Sequence, residues 1–131
     1  FSLRVNILDE MPLVKIDFGL MEQVLYNLLF NSTQYAQAAS EIILNIRHNN
    51  NMLTIEIVDK GPGFPEAEMK NVFKKFFRVD GRKTGGLGLG LSIAKGFVEA
   101  HQGHISVENV PDGGAMFTIK IPTEKPEIKN I

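Results

Sequence analysis

Gly85-Gly86-Leu87-Gly88-Leu89-Gly90-Leu91-Ser92 places four glycines within six residues and runs directly into Ile93-Ala94-Lys95-Gly96-Phe97-Val98-Glu99-Ala100, whose apolar spacing is helical. Glycine loses conformational entropy wherever it is fixed, so a cluster at a helix start is kept where bare N–H groups must face something bulky and anionic. Phosphate is the leading candidate. A flexible linker would carry Ser and Gly with few apolar residues, whereas Leu87, Leu89 and Leu91 alternate with these glycines as if anchored in a core. Neither common phosphate loop fits, because there is no Gly-Lys-Ser/Thr ending and no Gly-x-Gly-x-x-Gly after a strand.

Outward from that stretch, 89–101 reads as a helix leading into strands over 104–108 and 116–121, joined by the turn Pro111-Asp112-Gly113-Gly114. Residues 78–86 hold Gly, Lys, Arg, Asp and Thr with almost no apolar anchor, which predicts a surface loop. Before it, Asp59-Lys60-Gly61-Pro62-Gly63-Phe64-Pro65 can continue neither strand nor helix, and a short helix is expected over 66–76. Alternation over 41–47 and 52–58, around His48-Asn49-Asn50-Asn51, predicts a hairpin. Leu20, Met21, Val24, Leu25, Leu28 and Leu29 mark a helix over 20–38 with one wide buried face. Residues 3–7 and 13–16 read as short strands at a sheet edge, and the proline-interrupted tail from 122 as a linker or fraying end.

Two further groups carry chemistry. In the first helix Gln23, Asn27, Asn31 and Gln34 or Tyr35 recur at three- or four-residue steps, a polar stripe beside the apolar one. A solvent face would more often use Glu, Lys or Gln than asparagine, and an amide oxygen can bind Mg²⁺, which leans on water and substrate phosphates for its other ligands. Asp59 ends a buried strand and is followed by Gly61 and Gly63. A carboxylate there can accept from an exocyclic amine while the glycines admit a flat ring; the plainer alternative is an Asx turn.

The 131 residues are one domain's worth, with 44% hydrophobic and 22% charged residues and a formal net charge of −1. Spread charge of that size gives no footprint for nucleic acid. The absence of cysteine excludes disulfides, thiolate metal sites and Cys nucleophiles. No apolar run approaches the roughly 18 to 20 residues of a membrane span. The chain opens without Met in a strand-like pattern, which suggests a piece of a longer protein.

Taken in order, these elements resemble the ATP-binding catalytic domain of sensor histidine kinases, in the superfamily that includes gyrase, Hsp90 and MutL. Asn27-Leu28-Leu29-Phe30-Asn31-Ser32-Thr33-Gln34-Tyr35 resembles the N box, Asp59-x-Gly61-x-Gly63 the G1 box and Phe73-Lys74-Lys75-Phe76-Phe77-Arg78 the F box. Gly86-Leu87-Gly88-Leu89-Gly90-Leu91 resembles the G2 box and Gly113-Gly114-Ala115-Met116-Phe117 the final glycine box. Pro12–Asp17 and Gly96–Gly103 are similar to the potassium-responsive Kdp group.

The resemblance implies a Bergerat ATP-binding fold: an α/β (α+β) two-layer sandwich, its mixed sheet covered on one face by helices, with 1–122 as the ATP-binding domain and 123–131 as a C-terminal tail. It implies ATP and Mg²⁺ as cofactors. Asn31 would hold the metal, with Asn27 in the phosphate pocket and Tyr35 near the adenine, whose amine Asp59 would meet beside Gly61, Gly63 and Phe64. Gly86, Leu87, Gly88, Leu89 and Gly90 would serve the phosphates, and 78–85 would form a lid. Phe73 and Phe76 would couple that lid to a dimerisation domain carrying the phosphoacceptor histidine. Catalysis would rest on Asn31, Asn27 and Arg78.

In full-length form the implied protein is a homodimeric, membrane-bound bacterial sensor kinase with this domain in the cytoplasm, passing phosphate from histidine to a response regulator. Two positions depart from the pattern. Gln34 stands where many members carry Lys or Arg, so Arg78, Arg82 or Lys83 would have to supply the charge, and Phe30 stands where an acidic residue is common, with an expected effect on Asn31 or its metal. Asn27 stands where gyrase-like ATPases place a glutamate base, which favours transfer to an external nucleophile over hydrolysis. None of His48, His101 and His104 sits on a helix beside an acidic residue as a phosphoacceptor would, so structural or solvated roles are expected. The competing expectations are a degenerate interaction module and an anti-sigma-type serine kinase.

Overall fold

Alternation of side chains along the strands decides which face of the sheet is covered. In the computed structural model, which describes residues 1–10, 17–35, 40–77 and 90–123, five strands lie in the order β1-β2-β3-β5-β4. They are β1 Ser2–Ile7, β2 Glu41–Asn49, β3 Met52–Val58, β4 His104–Asn109 and β5 Ala115–Pro122. β1 runs parallel to β2 and every other pair is antiparallel, so the sheet is mixed. The expected edge position of the first strand holds; residues 13–16 lie outside the described residues.

Register brings the apolar positions into rows. Leu44, Ile57, Phe117 and Val107 form one row across the sheet, and Ile46, Ile55, Ile119 and Ile105 form the next. Against them pack Met21, Val24 and Leu28 of α1 (Phe18–Tyr35) and Ala94 and Val98 of α2 (Gly90–Ala100), which lie side by side. The opposite face carries residues such as Asn45, Glu56, Thr118 and Ser106. One covered face and one solvated face is the two-layer α/β arrangement expected.

Three local structures differ from the pattern reading. The hairpin tip is narrower than 48–51, because His48 and Asn49 stay paired with Leu53 and Met52. Asn50 and Asn51, at φ 50° and 59°, make the two-residue turn, a geometry that asparagine tolerates. The segment after Pro65 is a 3-10 helix over Glu66–Asn71, followed by tight turns rather than a continuous helix to 76. Those turns place Val72, Phe73 and Phe77 against the core while Phe76, at φ 65°, stays 65% exposed. Finally, α1 begins earlier than Leu20 because Asp17 caps it, its Oδ1 accepting from the Leu20 N–H at 3.0 Å.

Candidate functional site

Asp59 follows β3 and extends its ladder by one bond, its N–H donating to the Ala115 carbonyl at 3.0 Å. Its side chain turns inward and the residue is 4% exposed. Oδ1 accepts from the Gly61 N–H at 2.9 Å and from the Ala115 N–H at 3.2 Å, while Oδ2 bonds to none of the described residues. The Gly61 contact is an Asx turn, so the plainer reading of Asp-x-Gly-x-Gly is present inside the more specific one. Burial pushes the Asp59 carboxyl above the usual carboxylate range, and the Gly61 and Ala115 N–H groups and the Ser32 hydroxyl pull it partway back. Ser32 is fully buried on α1, its Oγ without a partner at hydrogen-bond distance among the described residues, and the hydroxyl lies near enough to Asp59 to favour its charged form.

What holds Asp59 there is the packing of two loops against each other. A Cβ at Gly114, where φ is 104°, would overlap the Asp59 carbonyl oxygen, so only glycine lets the β4–β5 turn lie on this loop. Gly63, at φ 74°, presses against the Asn109 side chain in the same way. Phe64 is a core residue: its ring meets Phe117 edge-on at 6.1 Å and lies 6.3 Å from Phe77. It therefore anchors the loop from behind and does not line an open pocket with its side chain.

The second half of the site lies between the helices. Asn27 and Asn31 are one turn apart on α1, both partly buried. The Asn27 Oδ1 accepts from Gln23 Nε2 at 3.4 Å, but its Nδ2 is buried without a partner among the described residues. Gly90, the first residue of α2, lies directly over this amide, with the Asn27 side chain 3.8 Å from where a Cβ would sit. The leading N–H groups of a helix have no intrahelical acceptor. A buried amide beside the start of a helix is an arrangement suited to an anion.

Asn27, Asn31, Asp59, Gly61, Gly63, Phe64 and Gly90 are thus all placed on the helix layer and the adjoining strand ends. The backbone of Gln34 and Tyr35 belongs to α1, but their side chains, with Arg78, Arg82, Lys83, Gly86, Leu87, Gly88, Leu89 and the lid over 78–85, lie outside the described residues. Phe30 is 41% exposed and stacks on Tyr26 at 6.1 Å on the outer side of α1. His101 fastens the helices together, Nε2 accepting from the Asp17 N–H at 3.1 Å while Nδ1 faces the Phe97 carbonyl at 2.9 Å. His48 Nε2 meets Thr123 Oγ1 at 2.7 Å. Pattern reading missed Asn109 and gave Ser32 no role, since nothing local marks a residue that acts across the sheet.

Residues 17–125 match the profile of the family described as histidine kinase-, DNA gyrase B-, and HSP90-like ATPase. The chain is 36% identical over 127 residues to the sensor protein KdpD of Clostridium acetobutylicum, covering 94% of this chain and 14% of that protein. It is 35% identical over 131 residues to the sensor protein KdpD of Escherichia coli K12, covering 97% of this chain and again 14% of the relative. The chain therefore spans about one seventh of the length of these curated relatives. Among solved structures, the mycobacterial sensor histidine kinase MprB superposes with a TM-score of 0.82 at 25% identity, over 93% of this chain and 84% of that one.

Proposed function

The chain belongs to the histidine kinase-, DNA gyrase B- and HSP90-like ATPases, and from that premise we propose that it presents the γ-phosphate of ATP to a histidine outside the chain. It is an ATP-binding catalytic domain of the kind found in sensor histidine kinases. The observation that carries the reading is the buried Asn27 Nδ2, without a hydrogen-bond partner among the described residues, on a side chain that packs against Gly90 at the start of α2. At the other end, Asp59 Oδ2 supplies an acceptor for the exocyclic amine of adenine. An amide at position 27 cannot take a proton from water, so the phosphoryl group is held for a stronger nucleophile. Catalysis is then a matter of position and charge.

Mg²⁺ fits the residues present. No three His, Cys, Asp or Glu gather into a metal cage among the described residues. Mg²⁺ in nucleotide sites is held by one or two protein ligands, water and phosphate oxygens, and the Asn31 amide, one turn from Asn27, is the ligand of that kind. When bound, the metal neutralises charge on the transferred phosphoryl group. The lid over 78–85 with Arg78, the loop from Gly86 to Leu89, and Tyr35 complete the proposed site; Gln34 leaves the phosphates to be charge-balanced by Arg78, Arg82 or Lys83.

In the whole protein, the exposed Phe76 would meet the dimerisation domain that bears the phosphoacceptor, and a response regulator would receive the phosphate. Identity of 36% and 35% to two proteins named sensor protein KdpD supports a place in the Kdp sensor group; the family resemblance carries the further proposal of a cytoplasmic position within a membrane-bound homodimer. The unit proposed to bind ATP is 1–122.

Calorimetric titration with a non-hydrolysable ATP analogue tests the reading. Wild type binds in the presence of Mg²⁺; Asn27→Ala and Asn31→Ala weaken binding on the order of tenfold or more, the loss expected for a charge-assisted hydrogen bond or a metal ligand. Chelating Mg²⁺ reproduces the Asn31 defect in wild type and adds nothing to Asn31→Ala. Absence of binding at millimolar analogue overturns the assignment.

A further inference from the structure

We propose that Asn109 is a positioning residue for base recognition, its amide holding the Asp59–Phe64 loop in the geometry in which Asp59 meets the exocyclic amine. Asn109 is the last residue of β4, remote in sequence from the loop it touches. Its Oδ1 accepts from the Phe64 N–H at 2.8 Å and its Nδ2 donates to the Phe64 carbonyl at 2.8 Å. The side-chain amide thus copies the two-bond exchange of paired strands, at a place where no strand pairs with the loop. A third contact, from Nδ2 to Glu66 Oε1 at 3.4 Å, uses the remaining donor, so amide oxygen and nitrogen cannot be exchanged without breaking the set.

The clamp lies where it can control the carboxylate. Asp59 Oδ1 is oriented by the Gly61 N–H on one side and the Ala115 N–H on the other. Ala115 is fixed within β5, whereas Gly61 sits in a segment of two glycines and two prolines that makes no ladder of its own. Asn109 fastens the far end of that segment, immediately after Gly63, whose missing Cβ would lie 2.5 Å from the Asn109 Oδ1. Val110 N–H bonded to the Gly114 carbonyl at 2.9 Å then ties the clamp to the turn that lies on the Asp59 backbone. With the amide removed, Gly61 is free to swing and Oδ2 loses its aim, while Asn27 and α2 are untouched.

The inference rests on the nucleotide reading above, and the test separates the two. Affinities for ATP and inosine triphosphate are measured on wild type, Asn109→Ala and Asn109→Asp, with thermal unfolding alongside. The two nucleotides share ribose and triphosphate and differ at position 6 of the base, where inosine lacks the amine. Asn109→Ala should lower the ATP:inosine triphosphate affinity ratio by about tenfold, the loss of one well-placed hydrogen bond, with the weaker nucleotide little changed. Asn109→Asp, which keeps the acceptor for the Phe64 N–H but sets a carboxylate oxygen against the Phe64 carbonyl and Glu66 Oε1, should lower the ratio at least as far; if the alanine variant does not fold, this variant decides. General loosening reduces both affinities together, so an unchanged ratio in the folded variants overturns the positioning role. Wild type that binds neither nucleotide overturns the functional reading itself.

Discussion

Asp59 is held in a place where its charge is costly. Its folded carboxyl binds a proton more tightly than it would in the unfolded chain, because desolvation outweighs the N–H groups of Gly61 and Ala115. Stability is therefore lost as pH rises through the interval between the ordinary carboxylate value and the raised one, and the loss is complete above it. Asp59→Asn keeps an oxygen for both N–H groups and removes the charge. It should unfold at an equal or higher temperature than wild type at neutral pH, with the advantage disappearing in acid, as thermal scans across pH would read. The same variant offers an NH₂ where adenine needs an acceptor, so ATP affinity should fall about 100-fold, as expected for an unpaired buried polar group. Wild-type affinity should itself decline on acidification, beginning above the ordinary carboxylate range. Asp59 was legible through the order of motifs around it, since Asp-x-Gly-x-Gly by itself reads as an Asx turn; Asn109 was not, since an asparagine at a strand end looks like any turn residue.

At the level of elements, helix ends show where pattern reading stops. α2 closes in a Schellman arrangement: the Gly103 N–H bonds to the Val98 carbonyl and the Gln102 N–H to the Glu99 carbonyl, both at 2.9 Å. The left-handed residue is Gln102, at φ 58°, and not the glycine beside it. Gly103 is needed for a different reason, since a Cβ there would lie 2.6 Å from the Lys120 carbonyl oxygen of β5. Both facts depend on where β5 passes, which no local spacing encodes. Gln102→Gly should stabilise the domain by up to about 1 kcal/mol, the cost of a side chain in that conformation less the entropy glycine loses, measurable by urea unfolding. The Asp17 cap was equally hidden. It serves α1 with its carboxylate while its N–H reaches His101 at the end of α2, so one residue joins the start of one helix to the finish of the other.

Across the whole molecule the core is uneven. Rows of apolar side chains run through β2, β3, β5 and β4 under the helices, and the same rows continue onto β1 as Val5 beside Leu44 and Ile7 beside Ile46. There they reach solvent, with Val5 49% and Ile7 62% exposed. Strand alternation in residues 3–7 was readable from sequence, but not that, among the described residues, the helices cover β2 to β5 and leave β1 exposed. The consequence is testable by unfolding: Ile119→Ala, fully buried, should cost about 3 kcal/mol, whereas Ile7→Ala on the same row should cost under about 1 kcal/mol. Equal costs would mean that β1 is covered in solution. The two-layer plan with a mixed sheet was readable from element pattern and motif order, whereas the order β1-β2-β3-β5-β4 and the parallel first pair became visible only in the structure.

The contact of Gly114 with the Asp59 backbone has a consequence for how such a domain can be altered. Segments 59–64 and 109–115, separated by more than forty residues of chain, share one surface with no room for a methyl group at the point of closest approach. An exchange of either segment alone between relatives would mismatch the two halves of a mould. On the proposed reading of Asp59, a chimera that carries the first segment without the second should keep its grip on phosphate while losing its discrimination among purines.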